Sequence, residues 1–293
     1  MNKVIKWLGI VLGGLVGLAV IVVLVLLVMG NGRYGKTYDV PKAVLAVATD
    51  SANKDRGKHI AEATAACTGC HGSNLSGGQM FMNDAVGTVF ATNLTSGKGG
   101  IGKQYSDEDW VRAIRHGLHK NGTAIMIMPS NGYYTMTNKD LGDLIAYLKS
   151  IPPVDKEVTP TSLGFMGSII LATGGFPPFP ADLISHTAVR PDATRETISA
   201  EYGLYLTKIG GCKDCHGANL AGAQPMAPGA KYAPGITPAA LSKWTETDFL
   251  RTMRSGVKPD GKQMDESMPS NEYGKMTNNE LKAMWMYLLS LRQ

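Results

Sequence analysis

The chain has 293 residues, a formal charge of +5, 44% hydrophobic residues and four cysteines, enough for two compact domains of ordinary size beside an anchor. Charge is nearly balanced in each half, with 11 basic against 10 acidic residues over 40–155 and 13 against 11 over 190–293. This excludes nucleic-acid binding as a leading role, because such domains concentrate Lys and Arg in a patch or stripe.

Residues 7–29 carry no charge and follow Lys3 and Lys6. As a helix this stretch crosses a hydrocarbon core of about 30 Å. A cleaved signal peptide has an apolar region of about 7–15 residues and an A-x-A-like site, and the stretch meets neither condition. Residues 1–36 therefore read as a retained signal anchor with its flanks, and 30–52 as a tether. Arg33 and Lys36 balance the two leading lysines, so flanking charge leaves the orientation open.

A helix is expected from about Lys54 to Cys67, with Gly57 placed to let another helix approach closely. It leads into Cys67, Thr68, Gly69, Cys70 and His71, a CxxCH run that recurs at Cys212, Cys215 and His216. CxxCH is the attachment motif of c-type haem: each sulfur adds to one porphyrin vinyl group and the histidine reaches the iron. A CxxC pair also serves zinc sites and thioredoxin-type redox centres. Both copies here carry histidine directly after the second cysteine, and the pairs start 145 residues apart, far beyond a zinc-ribbon spacing. The motifs use all four cysteines, leaving none for a disulfide. The expectation is two covalently bound haem c groups, one per domain. Haem c is attached on the outer face of bacterial inner membranes, which predicts a single-pass inner-membrane protein with its haem domains on the periplasmic side.

After His71, a Gly/Asn/Ser-rich loop runs to about Lys103, with Phe81, Phe90 and Leu94 as haem-covering groups. The next helix has Ser106 as N-cap, Asp107, Glu108 and Asp109 in its positive first turn, and Gly117 after its end. Trp110, Val111 and Ile114 form its buried face. His116 reads as a cation at the helix C-terminus rather than an iron ligand, and His119 likewise has no ligand role. Thr137 and Asp140 form a T-x-x-D capping-box pattern ahead of Leu141, Leu144, Ile145 and Leu148. The first domain is placed at 40–155.

Residues 156–195 read as the interdomain linker, within a proline-rich stretch lacking a sustained helical period. Its apolar run at 163–172 is too short to span a bilayer and is expected to pack across the two domains. His186 reads as structural or surface. The second domain, 196–293, repeats the first: CTGCHGSNLSGG matches CKDCHGANLAGA, SDEDWVRAIRHG matches TETDFLRTMRSG, and MPSNGYYTMTNKDL matches MPSNEYGKMTNNEL at an offset of 140. Thr277 and Glu280 restore the capping box. The first copy has one extra residue between Gly57 and Cys67 relative to Gly203 and Cys212, which leaves its helix register open.

These motifs, with the terminal LIAYLKSIPP and LKAMWMYLLSL helices, resemble the membrane-anchored di-haem cytochromes c built from tandem class I cytochrome c domains. The resemblance covers roughly 40–293. It implies an all-α fold, an N-terminal transmembrane helix followed by two tandem class I cytochrome c domains, in each of which the first and last helices cross. It also implies electron transfer in respiratory chains. Similar modules occur in cytochrome subunits of membrane-bound alcohol and sugar dehydrogenases.

Repetition leaves two candidate methionine ligands per domain, Met128 or Met136 in the first and Met268 or Met276 in the second. Met136 directly precedes its N-cap, whereas Met128 lies on a loop stiffened by Pro129. Loop geometry and the family resemblance favour Met128 and Met268, with Met136 and Met276 as haem-pocket core. Arg112 and Arg251 offer charges to haem propionates, and a solvated helix face explains them equally well.

The leading expectation is an electron carrier, not an enzyme, between a membrane-bound dehydrogenase, a quinol-oxidising complex or a terminal oxidase. The alternative is a di-haem redox enzyme of peroxidase or thiosulfate-oxidising type, which needs an open iron position or an unusual ligand. The repeated MPS segment argues against it, and two intact carrier-like sites argue against a purely structural or sensory subunit.

Overall fold

The computed structural model describes residues 3–41, 45–224 and 231–291. Helix α1 (Lys3–Tyr34) is exposed on every side from Lys3 to Val22 and is partly covered on one face from Val23 onward. It is the one helix among the described residues that is long and apolar enough to cross a membrane. Its last turn is different, because Gly30 is buried.

The segment after α1 is less free than a tether. Thr37 bridges to Thr123, the Tyr38 N–H donates to the Gly122 carbonyl at 3.0 Å, and Leu45 and Val47 pack on the first core. Residues 42–44 of this stretch lie outside the described residues.

The first copy begins with α2 (Ser51–His59), which runs without a break into a single π-helical turn, Ile60–Thr64. The turn is closed by the Ala65 N–H on the Ile60 carbonyl at 2.8 Å. A π-turn is the helix's way of holding one extra residue, so this turn accommodates the residue by which the first copy exceeds the second. Then come α3 (Cys67–His71), the hairpin β1 (Gly78–Asn83) and β2 (Gly87–Ala91), α4 (Asp107–His116), α5 (Ser130–Tyr133) and α6 (Asn138–Ser150). Helix α4 has the full Ser106/Asp109 capping box and a left-handed Gly117 at its end.

Helices α2 and α6 cross at Gly57, where a Cβ would fall on the Asp143 carbonyl oxygen. The core lies between these helices and α4, with Ile60, Leu75, Leu94, Trp110, Ile114, Met136, Leu141 and Ile145 buried.

The stretch expected to bridge the two copies does something else. Strand β3 (Ser162–Leu163) adds to the edge of β2, and α7 (Phe165–Ala172) packs along α1. Gly30 permits this, since a Cβ there would overlap the Ser168 carbonyl.

The second copy repeats the first in shorter form: α8 (Ala200–Ile209), α9 (Cys212–His216), β4 (Gly222–Ala223) with β5 (Ala233–Pro234), α10 (Glu246–Ser255), α11 (Ser270–Tyr273) and α12 (Asn278–Ser290). Helices α8 and α12 cross at Gly203, whose Cβ would fall on the Ala283 carbonyl oxygen. The fold is thus helical, with short β pairings.

The copies pack together about an approximate two-fold. Ala63 of the first-copy π-turn enters the second core, and Ile209, its counterpart in α8, enters the first.

Candidate haem sites

Each CxxCH run forms one short helix, entered through a left-handed residue: Ala66 (φ 48°) before α3 and Gly211 (φ 64°) before α9. Glycine adopts this conformation freely, whereas alanine gives up about 1–2 kcal/mol, so the surrounding packing must hold Ala66 there. Part of that hold is Tyr133, whose hydroxyl donates to the Ala65 carbonyl at 2.6 Å. Tyr273 repeats the contact on Gly210 at 2.5 Å.

His71 ends α3, and its Nδ1 donates to the Thr92 carbonyl at 2.8 Å. His216 ends α9, and its Nδ1 donates to the Pro234 carbonyl at 2.7 Å. A carbonyl only accepts, so the proton sits on Nδ1 and the Nε2 lone pair is left for a metal; this is how ligating histidines are oriented. Burial lowers the His71 pKa, against a smaller opposing effect of the Thr92 hydrogen bond, and the neutral ring is the ligating form.

Burial pushes the Cys67 and Cys212 thiols up to about 12 and raises Cys70 and Cys215 as well. All four cysteines are free of disulfides. A zinc site draws on thiolates, and no group of three or more His, Cys, Asp or Glu among the described residues could hold a metal ion. The donor set of each copy, two neutral thiols beside one oriented histidine, fits covalent haem instead. Trp110 points the same way, because its indole N–H is buried without an acceptor among the described residues.

The four methionines separate cleanly. Met136 and Met276 are buried in their cores at 0% and 1% exposure. Their carbonyls are also held by arginine, from Arg115 at 3.0 Å and Arg254 at 2.9 Å. Met128 and Met268 are half-buried at the core edges. Each starts an inverse γ-turn centred on proline, Pro129 at φ −77° and ψ 55° and Pro269 at φ −76° and ψ 60°. A 2.7 Å hydrogen bond from the serine N–H to the methionine carbonyl closes each turn.

Of the other candidates, one resolves differently from expectation. His116 is not a helix-terminal cation: burial, the neighbouring His186 and nearby arginines lower its pKa to about 4. It meets His186 Nδ1 to Nδ1 at 3.0 Å, while His186 Nε2 donates to the Ala181 carbonyl. Burial also lowers the His119 pKa. Arg112 pairs with Glu108 and Asp109, and Arg251 with Asp248, on their own helix faces. The arginines that hold the methionine-bearing segment are Arg115 and Arg254, one turn further on. Their alignment in RAIRHG and RTMRSG was the available signal, as the 140-residue offset was for Tyr133 and Tyr273.

A model of the cytochrome c family matches residues 55–152 and again 202–292. The chain belongs to the cytochrome c family. This cytochrome therefore binds haem c covalently and transfers electrons. It is 31% identical over 232 residues to the gluconate 2-dehydrogenase cytochrome c subunit of Pantoea cypripedii, covering 72% of this chain and 50% of that one. It is 29% identical to the fructose dehydrogenase cytochrome subunit of Gluconobacter japonicus, over 69% and 44% of the two chains. A diheme cytochrome c-type protein of Cereibacter sphaeroides is 29% identical, with 66% of this cytochrome and 70% of that protein covered. The cytochrome spans about half the length of the two dehydrogenase subunits.

Proposed function

We propose that this cytochrome is a membrane-anchored di-haem carrier that transfers electrons between respiratory partners, a membrane-bound dehydrogenase, a quinol-oxidising complex or a terminal oxidase. The observation that carries the reading is the duplication of the cysteine and histidine site, down to the paired bonds from His71 to Thr92 and from His216 to Pro234. Cys67 and Cys70 hold one haem c, Cys212 and Cys215 the other. The units run over 40–155 and 196–293 with 156–195 between them, on the periplasmic side of the bacterial inner membrane. The apolar α1 supports the anchor, and the two dehydrogenase cytochrome subunits support the partner class.

A bound haem supplies a one-electron iron couple whose potential is raised when methionine opposes histidine. His71 and His216 present Nε2 with ring orientation fixed by a backbone carbonyl. Met128 and Met268 would be the methionines that hold the iron; the repeated proline γ-turn and the half-exposed site at the core edge support this choice. Met136 and Met276, enclosed and tied by their carbonyls, remain core. Trp110 would have its N–H free for a haem carboxylate in the first copy, and Phe249 at the aligned position has no such donor.

The copies are set for exchange between themselves. Asn131, next to α5's start, donates to Asp214 inside the second CxxCH at 2.9 Å. In the reverse direction, a Cβ at Gly69 inside the first CxxCH would lie 3.8 Å from the Glu272 carboxyl carbon. Both attachment helices therefore abut the junction.

Anaerobic reductive titration of the purified holoprotein tests the reading. Two one-electron equivalents per chain and poor carbon monoxide binding at neutral pH are expected. Stoichiometric carbon monoxide binding to one haem, with turnover of peroxide or thiosulfate, would establish the redox enzyme instead.

A further inference from the structure

The short helix α7 lies against the anchor, and its solvent-facing side is apolar. On α1, the residues less exposed than their neighbours are Val23, Leu26, Leu27, Gly30, Arg33 and Tyr34, spaced three or four apart as one helix face. Helix α7 packs along α1, and the contact therefore reaches down into the uncharged stretch that ends at Met29. The Arg33 guanidinium fastens the end of α7, donating to the Leu171 carbonyl at 3.0 Å and the Pro177 carbonyl at 3.1 Å.

What α7 does not bury against α1 remains apolar. Phe165 is 54% exposed and Met166 41%, and in the hairpin joined to α7 through β3, Met80 is 41% and Met82 52% exposed. Residues 158–181 contain no charge, and residues 77–92 contain only Asp84. The strand order β1-β2-β3 and the contact of α7 with β2 bring these exposed apolar side chains to one end of the first copy, and a cluster of exposed apolar residues marks an interaction surface. Its continuity with a bilayer-crossing helix identifies the occupant.

We infer that α7 and the exposed methionines of β1 sit in the interfacial layer of the bilayer beside the end of α1, as a second membrane contact that holds the first copy against the lipid. The inference rests on the reading of α1 as a membrane anchor. Eight residues of helix are about 12 Å long, too short to cross but suited to lying at the headgroup boundary. Helical hydrogen bonding keeps the α7 backbone satisfied there. A dehydrogenase subunit covering the same patch is the competing occupant, and purified cytochrome in lipid separates the two.

The native cysteines all belong to CxxCH motifs, so a single introduced cysteine is the unique site for a nitroxide label. Full-length holoprotein carrying Met166→Cys, Met82→Cys, Leu24→Cys or Val189→Cys is reconstituted in phosphatidylethanolamine and phosphatidylglycerol vesicles. Collision of each label with oxygen and with a water-soluble nickel chelate is then compared. Leu24 lies within α1 and reports the anchor; Val189, 92% exposed, reports water. Labels at 166 and 82 are expected to favour oxygen severalfold, as at 24, while 189 favours nickel. Lipid at 24 with water at 166 would overturn the second contact and leave the anchor standing, and lipid at 166 with water at 82 would overturn the hairpin's share. Water at 24 would overturn the anchor reading and the inference with it.

Discussion

His59 and Glu280 meet across the junction of the two copies at 2.9 Å, joining the first helix of one copy to the last helix of the other. Tyr205 and Asp140 meet at the symmetry-related place, with the tyrosine hydroxyl donating to the carboxylate. In both pairs the acceptor is the carboxylate three residues after a helix N-cap threonine, so the junction is tied into the caps of α12 and α6.

The His59 pair makes the junction pH-dependent. The Glu280 hydrogen bond raises the His59 pKa, with burial and Arg56 opposing it. Burial acts to raise Glu280, but His59 and the Thr277 cap outweigh it and the net shift is down. A raised histidine contributes its full stability below its ordinary value of 6.5 and loses it as pH rises through the folded pKa. A depressed glutamate contributes above its ordinary value of 4.5 and loses it as pH falls. The pair is thus strongest between these values and weakens above pH 6.5. Thermal midpoints measured across this range should decline on the alkaline side, and His59→Ala should remove that part of the decline at a cost of about 1 kcal/mol below pH 6.5.

The helix crossings give a second prediction. At Gly57 and Gly203 any Cβ falls on a backbone carbonyl of the crossing helix, which cannot rotate away as a side chain can. Gly57→Ala or Gly203→Ala should destabilise by about 1–3 kcal/mol through overpacking, despite alanine's better helix propensity. Denaturant unfolding of each holoprotein checks this; a stabilising effect would show that the helices separate more easily than the crossing implies.

A third prediction concerns Tyr133 and Tyr273. Removing either hydroxyl leaves a carbonyl two residues ahead of an attachment cysteine without its donor, at a cost of about 1–3 kcal/mol where it is buried. Tyr133→Phe should have the larger effect, because Ala66 in the first copy is already strained by its left-handed backbone while Gly211 is not. The two variants can be compared by urea midpoint and by the fraction of each haem incorporated.

The axial choice is settled by substitution. Met128→Ala and Met268→Ala should each abolish one of two methionine–iron charge-transfer bands and lower one reduction potential. Met136→Ala and Met276→Ala should keep both bands and lower stability by about 2–5 kcal/mol, as core cavities do.

Motif, repeat and cap signals made most of this architecture readable from residues alone. CxxCH is local chemistry, and the two copies report on each other at every aligned position, so α4, α6, α10 and α12 were predictable. The misses arose where tertiary contacts decide. The T-x-x-D cap at Thr137 lacks its reciprocal half, because the Tyr205 hydroxyl takes the Thr137 N–H at 3.0 Å and donates to Asp140; Glu280 accepts from the Thr277 N–H itself at 2.7 Å. The extra first-copy residue has no signature until a π-turn is seen to hold it. The hairpin at 78–91 was hidden in a Gly/Asn-rich stretch, and α7 in a proline-rich one. His116 reads as a cation from helix position alone, and only the packed His186 and burial show it to be neutral.

The intact mass of the holoprotein under denaturing conditions, paired with the Cys67→Ser and Cys212→Ser variants, tests most directly whether each copy is an independent haem-bearing unit. The native chain should carry two covalent haems, and each variant should lose stable attachment at its own site while keeping the other. A native chain with one haem or none, or a variant that loses both, would contradict the duplicated carrier.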